Sequence, residues 1–307
     1  MSAGLGAGEG REAVHLSTFA RHRSLLFSIA YRMLGSVSDA EDMLQETFIR
    51  WQRSSDEEIR DPRAFLVTIV TRLCLAQLRS ARVKREEYVG SWLPEPIVTD
   101  ESVDPLGVLR IDESLSMALM LLLERLTPVE RAVFILREVF EFEYAEIARA
   151  LGQSEANCRK LLQRARGHVG TMRQRFAASK EELDQLMRRF LSATREGDLQ
   201  GLLALLSADV KLYSDGGGKA RALPNVIEGS EKVARAMMHA MTNFLPPDLE
   251  FETTSINGEP GVISYLNGAP FSAVTVNFRE DRVKAVFVVT NPDKLKHLTG
   301  SSGTSNA

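Results

Sequence analysis

Three prolines, Pro94, Pro96 and Pro105, stand between two long runs of helical periodicity, and they divide the chain more sharply than any other feature. Proline has no amide hydrogen to donate and its ring collides with the turn before it, so no single helix crosses this stretch. Apolar residues recur at three- and four-residue intervals over 14–85, and the same spacing resumes over about 112–176. The segment between them is acidic: from Glu86 to Glu113 there are eight acids against the single base Arg110. It reads as a tether joining two helical domains, 14–85 and 113–176, through a linker at 86–112.

The periodicity changes again after residue 178. A helix over Glu181–Leu206 precedes a short strand at Val210–Tyr213, a glycine-rich turn at Asp215–Lys219 and a helix over Ser230–Phe244. Four alternating segments follow, at Leu249–Ile256, Val262–Leu266, Phe271–Arg279 and Arg282–Thr290, with Gly258, Asn267-Gly268 and Asp281 at the turns. Helices followed by a meander predict an α+β domain over 180–297, its helices packed on one curved sheet. The tail from 298, GSSGTSNA at its end, is too polar and small to pack and is expected to be disordered.

The sharpest local pattern is Tyr144–Arg166. Ala145, Ile147, Ala148 and Leu151 form the apolar face of a short helix, and Gly152 supplies the positive φ that ends it. Ser154 offers a cap for a second helix, in which Cys158, Leu161, Leu162 and Ala165 fall on one stripe. The opposite face presents Arg159, Lys160, Gln163 and Arg164. Turn, cap, stripe and charge together predict a helix-turn-helix whose second helix enters the major groove. Six bases stand against one acid between Ser154 and Phe176, which suits a phosphate backbone although the whole chain has a net charge of −3. A second basic helix begins at the Asp61-Pro62 start signal, with seven bases and one acid from Arg60 to Arg85. Thr68, Arg72 and Arg79 share one face of it; Phe65, Ile69, Leu73 and Leu75 read as mostly core. Taken alone, this helix fits either nucleic-acid contact or a solvated charged face.

Ser38–Trp51, SDAEDMLQETFIRW, followed by DPRAFLVTIVTRLCLAQLRS and then the helix-turn-helix, resembles the extracytoplasmic-function sigma factors of the sigma-70 family. The resemblance implies two all-α domains, regions 2 and 4, that bind core RNA polymerase and promoter DNA. It assigns polymerase contact to Asp39, Glu41, Asp42, Gln45, Glu46, Phe48 and Arg50. It places −10 recognition on Thr68, Thr71 and Arg72, with Arg79, Arg82, Lys84 and Arg85 suited to phosphate. The −35 element would be read by Arg159, Lys160, Gln163 and Arg164.

YVGSWLPEP (Tyr88–Pro96), DGGGK (Asp215–Lys219) and NPDKL (Asn291–Leu295) are similar to the subfamily of these sigma factors that carries a fused SnoaL-like domain. That implies a cone-shaped α+β barrel at the C-terminal end. Trp92 with Leu93, Pro94 and Pro96 forms a pre-extended apolar ligand, cheap to immobilise. Gly216, Gly217 and Gly218 permit close backbone approach, with Asp215 and Lys219 as polar partners. Asn291, Pro292 and Asp293 complete the regulatory set. The expectation is a domain that grips the linker and fixes the angle between regions 2 and 4.

Two rival readings use the same domain. In one its pocket takes a small molecule that alters the grip on the linker. In the other it turns over a polyketide-type substrate, with Asp215 and His239 as acid–base candidates; no nucleophile–base spacing supports it, and an enzyme is not expected. A plain helix-turn-helix repressor leaves Ser38–Trp51 unexplained. Cys74 and Cys158 lie in apolar helical patterns with no metal-ligand spacing, so both read as buried thiols and no cofactor is expected. The N-terminus has no apolar core of a secretory signal. The longest apolar run, near Leu115–Leu123, is far short of the about 20 residues a membrane span needs, so a cytoplasmic protein is expected.

Overall fold

In the computed structural model, residues 5–54, 59–86, 88–99, 115–170, 180–279 and 281–298 are described. They form two compact units, one built from 5–84 and 122–170, the other from 88–99, 115–121 and 180–298.

The first unit is helical. Helix α1 (Leu5–Leu34) ends where Gly35 turns to φ 68° and donates to the Tyr31 carbonyl at 2.7 Å. Ser36 then caps α2 (Val37–Gln52), its hydroxyl accepting from the Asp39 amide at 3.1 Å. Helix α3 (Pro62–Glu86) starts as the Asp61-Pro62 pair predicts, with the Asp61 carboxylate accepting from the Ala64 amide at 3.1 Å. Its buried stripe is Leu66, Val67, Val70, Cys74, Leu75 and Leu78; Leu75 is core as expected, whereas Phe65, Ile69 and Leu73 are only half-buried. The core face is thus turned by about one residue from the one read off the sequence.

Past the linker, α4 (Met117–Leu123) leads to α5 (Pro128–Phe134), which opens with a reciprocal cap between Thr127 and Glu130. A π-helical turn (Ile135–Val139) follows, then α6 (Tyr144–Leu151) and α7 (Glu155–Val169). Arg131 on α5 is buried, and its guanidinium donates to the carbonyls of Leu123 (2.9 Å) and Met33 (2.7 Å) and to the Glu124 carboxylate (2.7 Å). One side chain therefore joins the end of α1 to the α4–α5 junction.

The second unit is α+β. The long helix expected over Glu181–Leu206 is two, α8 (Lys180–Glu196) and α9 (Leu199–Leu205), divided where Gly197 takes φ 70° and Asp198 caps α9. Strand β1 (Leu206–Asp215) follows, then a two-residue β2 (Ile227–Glu228), α10 (Ser230–Asn243), and strands β3 (Glu250–Ile256), β4 (Glu259–Leu266), β5 (Ala269–Arg279) and β6 (Arg282–Val289). A short α11 (Pro292–Leu295) ends the unit. Among the described residues the strands form one sheet in the order β2-β1-β6-β5-β4-β3. The meander β3–β6 is antiparallel as predicted, and β1 joins its last strand in parallel.

Each sheet face has its own core, because successive side chains alternate across a strand. Val262, Val276, Phe278, Val283 and Val286 pack against Met187, Phe190, Leu202 and Val233 of the helices. Ile263, Tyr265, Ala273, Phe287 and Val289 face the other way, where Leu93, Met117 and Leu295 cover them. The linker therefore supplies part of this second core. No helix among the described residues is long and apolar enough to cross a membrane.

Candidate functional site

The helix-turn-helix is built as its residues dictate. Gly152 stands at φ 64° after α6, and the Ser154 hydroxyl accepts from the Asn157 amide at 3.2 Å to start α7. Cys158, Leu162, Ala165 and Val169 are buried, while Arg159, Lys160, Gln163 and Arg164 are all exposed. The Arg159 guanidinium is held at 2.9 Å from Glu155 and lies 4.7 Å from the centre of the Tyr144 ring. The cationic face is thus present and presented outward.

On α2 the acidic set is divided. Asp42, Gln45 and Arg50 are exposed, and Arg50 pairs with Glu46 at 2.7 Å. Glu41 accepts both bonds of the Arg23 guanidinium (2.8 and 2.7 Å), Asp39 accepts from Gln77 at 3.4 Å, and the Phe48 ring lies against Phe19 at 4.9 Å. These three hold α2 to its neighbours.

On α3, Arg79 is exposed and Thr68 half-buried. Thr71 is a correction: it is fully buried, its hydroxyl has no hydrogen-bond partner among the described residues, and it belongs to the helical core rather than to a DNA-facing surface. The side chains of Arg82, Lys84 and Arg85 lie outside the described residues. Arg72 donates to the carbonyl oxygens of Ala150 (2.8 Å) and Arg149 (3.1 Å), at the C-terminal end of α6 where unpaired carbonyls and the helix dipole favour a cation. Arg63, one turn into α3, stacks on the Phe142 ring at 4.4 Å. A cavity of ≈480 Å³ lies between α3 and α6, lined by Asp61, Thr68, Arg72, Glu146 and Arg149 among others.

The second site centres on Asp215, at the end of β1 and fully buried. Its carboxylate accepts from four donors: the Tyr88 hydroxyl (2.6 Å), the Leu93 amide (2.8 Å), the Gly217 amide (3.0 Å) and the Lys294 ammonium (2.7 Å). Lys294, also buried, donates to the Leu93 carbonyl and lies 4.2 Å from the centre of the Trp92 ring and 5.0 Å from that of Tyr88. A buried ion pair survives the loss of hydration only when its remaining valences are met, and here backbone and aromatic faces meet them. Burial, then the hydrogen bond to Asp215, pushes the Tyr88 hydroxyl well above its ordinary pKa, so it stays a donor.

Leu93, rather than Trp92, is the apolar anchor: Leu93 is fully buried in the second core and Trp92 only half-buried. Full burial of such a side chain contributes about 1.5–3 kcal/mol. Gly217 is required, since it sits at φ 58° and a Cβ there would lie 2.2 Å from the Asn291 side-chain nitrogen. Asn291 donates instead to the Tyr88 hydroxyl at 2.9 Å and caps α11 through the Asp293 amide. Lys219 pairs with Asp293 rather than with the linker, and the Lys219 and Lys296 ammonium groups hold the Asp293 carboxyl down to about 2. Asp215 is thus saturated by structural partners. His239 is exposed on α10, bonded to Asn243 and edge-on to Phe244.

The model for Sigma-70 region 2 matches residues 18–83 and that for Sigma-70, region 4 matches 116–169. The ECF RNA polymerase sigma factor SigJ of Mycobacterium tuberculosis is 39% identical over 300 residues, 94% of each chain. The chain belongs to the extracytoplasmic-function sigma factors. A probable ECF RNA polymerase sigma factor SigI from the same species is 31% identical over 287 residues, covering 92% of this sigma factor and 95% of SigI. A crystal structure of SigJ superposes with a TM-score of 0.75 at 35% identity, covering 91% of this chain and 97% of that one.

The matches place α1–α3 of this sigma factor in region 2 and α4–α7 in region 4, with the tether between them. Tyr88 and Lys294 were not singled out from the sequence, although both lie inside the motifs that carried the resemblance. The signal that could have found Lys294 is its place between Asp293 and Leu295 in NPDKL, since a cation carried into an apolar core needs a buried acid to pair with.

Proposed function

We propose that this sigma factor binds core RNA polymerase and directs initiation at specific promoters, and that its C-terminal domain tunes that activity by holding the linker. The carrying observation is the Asp215 carboxylate, which receives the Leu93 amide of the linker and the Lys294 ammonium together. A tether seated at this point has fewer conformations to lose when both DNA-binding helices engage one duplex, so the seat sets the effective concentration of the second contact.

Asp42, Gln45 and Arg50 are the exposed part of the polymerase-facing set; Arg159, Lys160, Gln163 and Arg164 supply −35 contacts; Thr68 and Arg79 supply −10 contacts, joined by Arg72 once it leaves the Ala150 and Arg149 carbonyls. Arginine and lysine suit guanine edges and glutamine suits adenine. Run-off transcription with core polymerase tests the reading, comparing the full chain with Leu93→Ala, Asp215→Asn and a chain ending near residue 178. Altered transcript yield with core binding retained supports it. Identical yield from all four, or failure of the full chain to join core polymerase, rejects it.

A further inference from the structure

The turn between β3 and β4 touches the linker at a place separate from Asp215. Asn257 and Gly258 occupy it at φ 54° and 74°, the two positive values that a tight right-twisted hairpin needs. A hairpin tip is ordinarily solvated. Asn257 is fully buried, and its single amide is used at both ends: the side-chain oxygen accepts from the Ile97 amide at 2.9 Å, and the side-chain nitrogen donates to the Leu115 carbonyl at 3.1 Å.

The neighbouring groups repeat this division. On the linker side, the Asn257 amide donates to the Ile97 carbonyl (2.8 Å), the Thr99 amide to the Ser255 carbonyl (2.8 Å) and the Gly258 amide to the Thr99 hydroxyl (2.9 Å). On the other side, the Glu259 carboxylate accepts from the Met117 amide at 3.2 Å, the first residue of α4, and from the Asn277 side chain at 2.6 Å. Met117 is an orphan amide of a helix start, which a carboxylate satisfies well.

We propose that Asn257 and Glu259 form a clasp that fixes where region 4 begins: the hairpin holds Ile97–Thr99 and Leu115–Met117 side by side, so that the start of α4 is anchored on the C-terminal sheet. Ile97 and Leu115 are joined through one side-chain amide. The Asp215 seat and the clasp act on different stretches of the linker, at Leu93 and at Ile97–Thr99. The role in transcription rests on the proposed function above; the clasp itself is a statement about this hairpin and is measured without polymerase.

Hydrogen exchange on the full chain tests it. Asn257→Gly keeps the left-handed turn and removes the amide, and Asn257→Asp keeps acceptors for Ile97 while losing the donor to Leu115. In Asn257→Gly the Ile97 and Met117 amides exchange about five- to tenfold faster, the loss of a buried hydrogen bond or more, while the Leu93 amide and β5–β6 keep their protection. In Asn257→Asp only the 115–119 end accelerates. Wild-type protection at both ends in Asn257→Gly overturns the clasp. If that variant also loosens β5–β6, Glu259→Gln, which keeps one acceptor for two donors, decides: an unchanged Met117 amide overturns it.

Positioning is read separately, by run-off transcription on promoters whose −10 to −35 spacing is varied. Asn257→Gly flattens the dependence of yield on spacing, and an unchanged profile removes the positioning role. Asp215→Asn on the same promoters tells the two ideas apart, since a profile unchanged there, with the clasp variant altered, counts against the linker seat alone.

Discussion

The Arg72 guanidinium donates from Nε to the Ala150 carbonyl at 2.8 Å, so a region 2 residue assigned to −10 contact is occupied by the end of the first helix of the helix-turn-helix. With Arg149 as the second acceptor at 3.1 Å, the arginine caps α6 from another helix. Arg72→Ala is expected to destabilise the helical unit by about 1–2 kcal/mol in denaturant unfolding of the free chain. Spin labels on α3 and α6 should also report a longer distance. An unchanged distance distribution would show that Arg63 on Phe142 and Arg131 alone hold the two regions together.

Removing one member of a buried ion pair strands the other. Asp215→Ala leaves the Lys294 ammonium buried and the Leu93 amide without its acceptor. The cost is expected to be about 3–5 kcal/mol, read as a lowered midpoint of the C-terminal transition, with the double change Asp215→Ala, Lys294→Met recovering much of it.

Gly217→Ala puts a methyl group onto Asn291 in a backbone conformation that alanine resists. A loss of about 1–3 kcal/mol is expected. Pairing it with Asn291→Ala should return part of that loss, and no return in thermal unfolding would mean the strain lies in the backbone alone.

Glu259 introduces a pH dependence. Burial pushes its carboxyl from the ordinary 4.5 up to about 7, against the opposing pull of the Asn277 and Met117 hydrogen bonds. The folded chain therefore holds a proton that the unfolded chain releases, and the stabilisation is complete below about pH 4.5 and is lost as pH rises through about 7. A melting temperature followed across that range should fall for this reason in the wild type and fall less in Glu259→Gln.

Arg159→Ala and Arg164→Ala should each weaken promoter binding by about 1–3 kcal/mol if they reach base edges. Equal losses on random duplex in a titration would assign both to phosphate.

What the sequence makes legible follows from how local the cause is. Gly152 and Ser154 fix the helix-turn-helix within a few residues of themselves, and the Asp61-Pro62 start and the meander turns at Gly258 and Gly268 are equally local. The parallel seam of β1 on β6 is not local, since it joins Lys211 to Ala285, and no periodicity announces it. Thr71 was misplaced because a helix stripe shifted by one residue looks the same in an apolar run. Leu93 and Trp92 are both legible as the linker's apolar ligand, but which of them is buried depends on the face the partner sheet presents. Asn257 left only the signature of a turn, and what it binds lies 142 and 160 residues away.

The seat for Leu93 is completed by Lys294, 201 residues further along. Since a chain is made from its N-terminal end and domains fold in that order, both DNA-binding regions emerge before the lysine that pins their tether exists. A ribosome-bound chain of this sigma factor thus passes through a period in which the seat for Leu93 lacks its cation, and the seat is completed only as translation reaches α11.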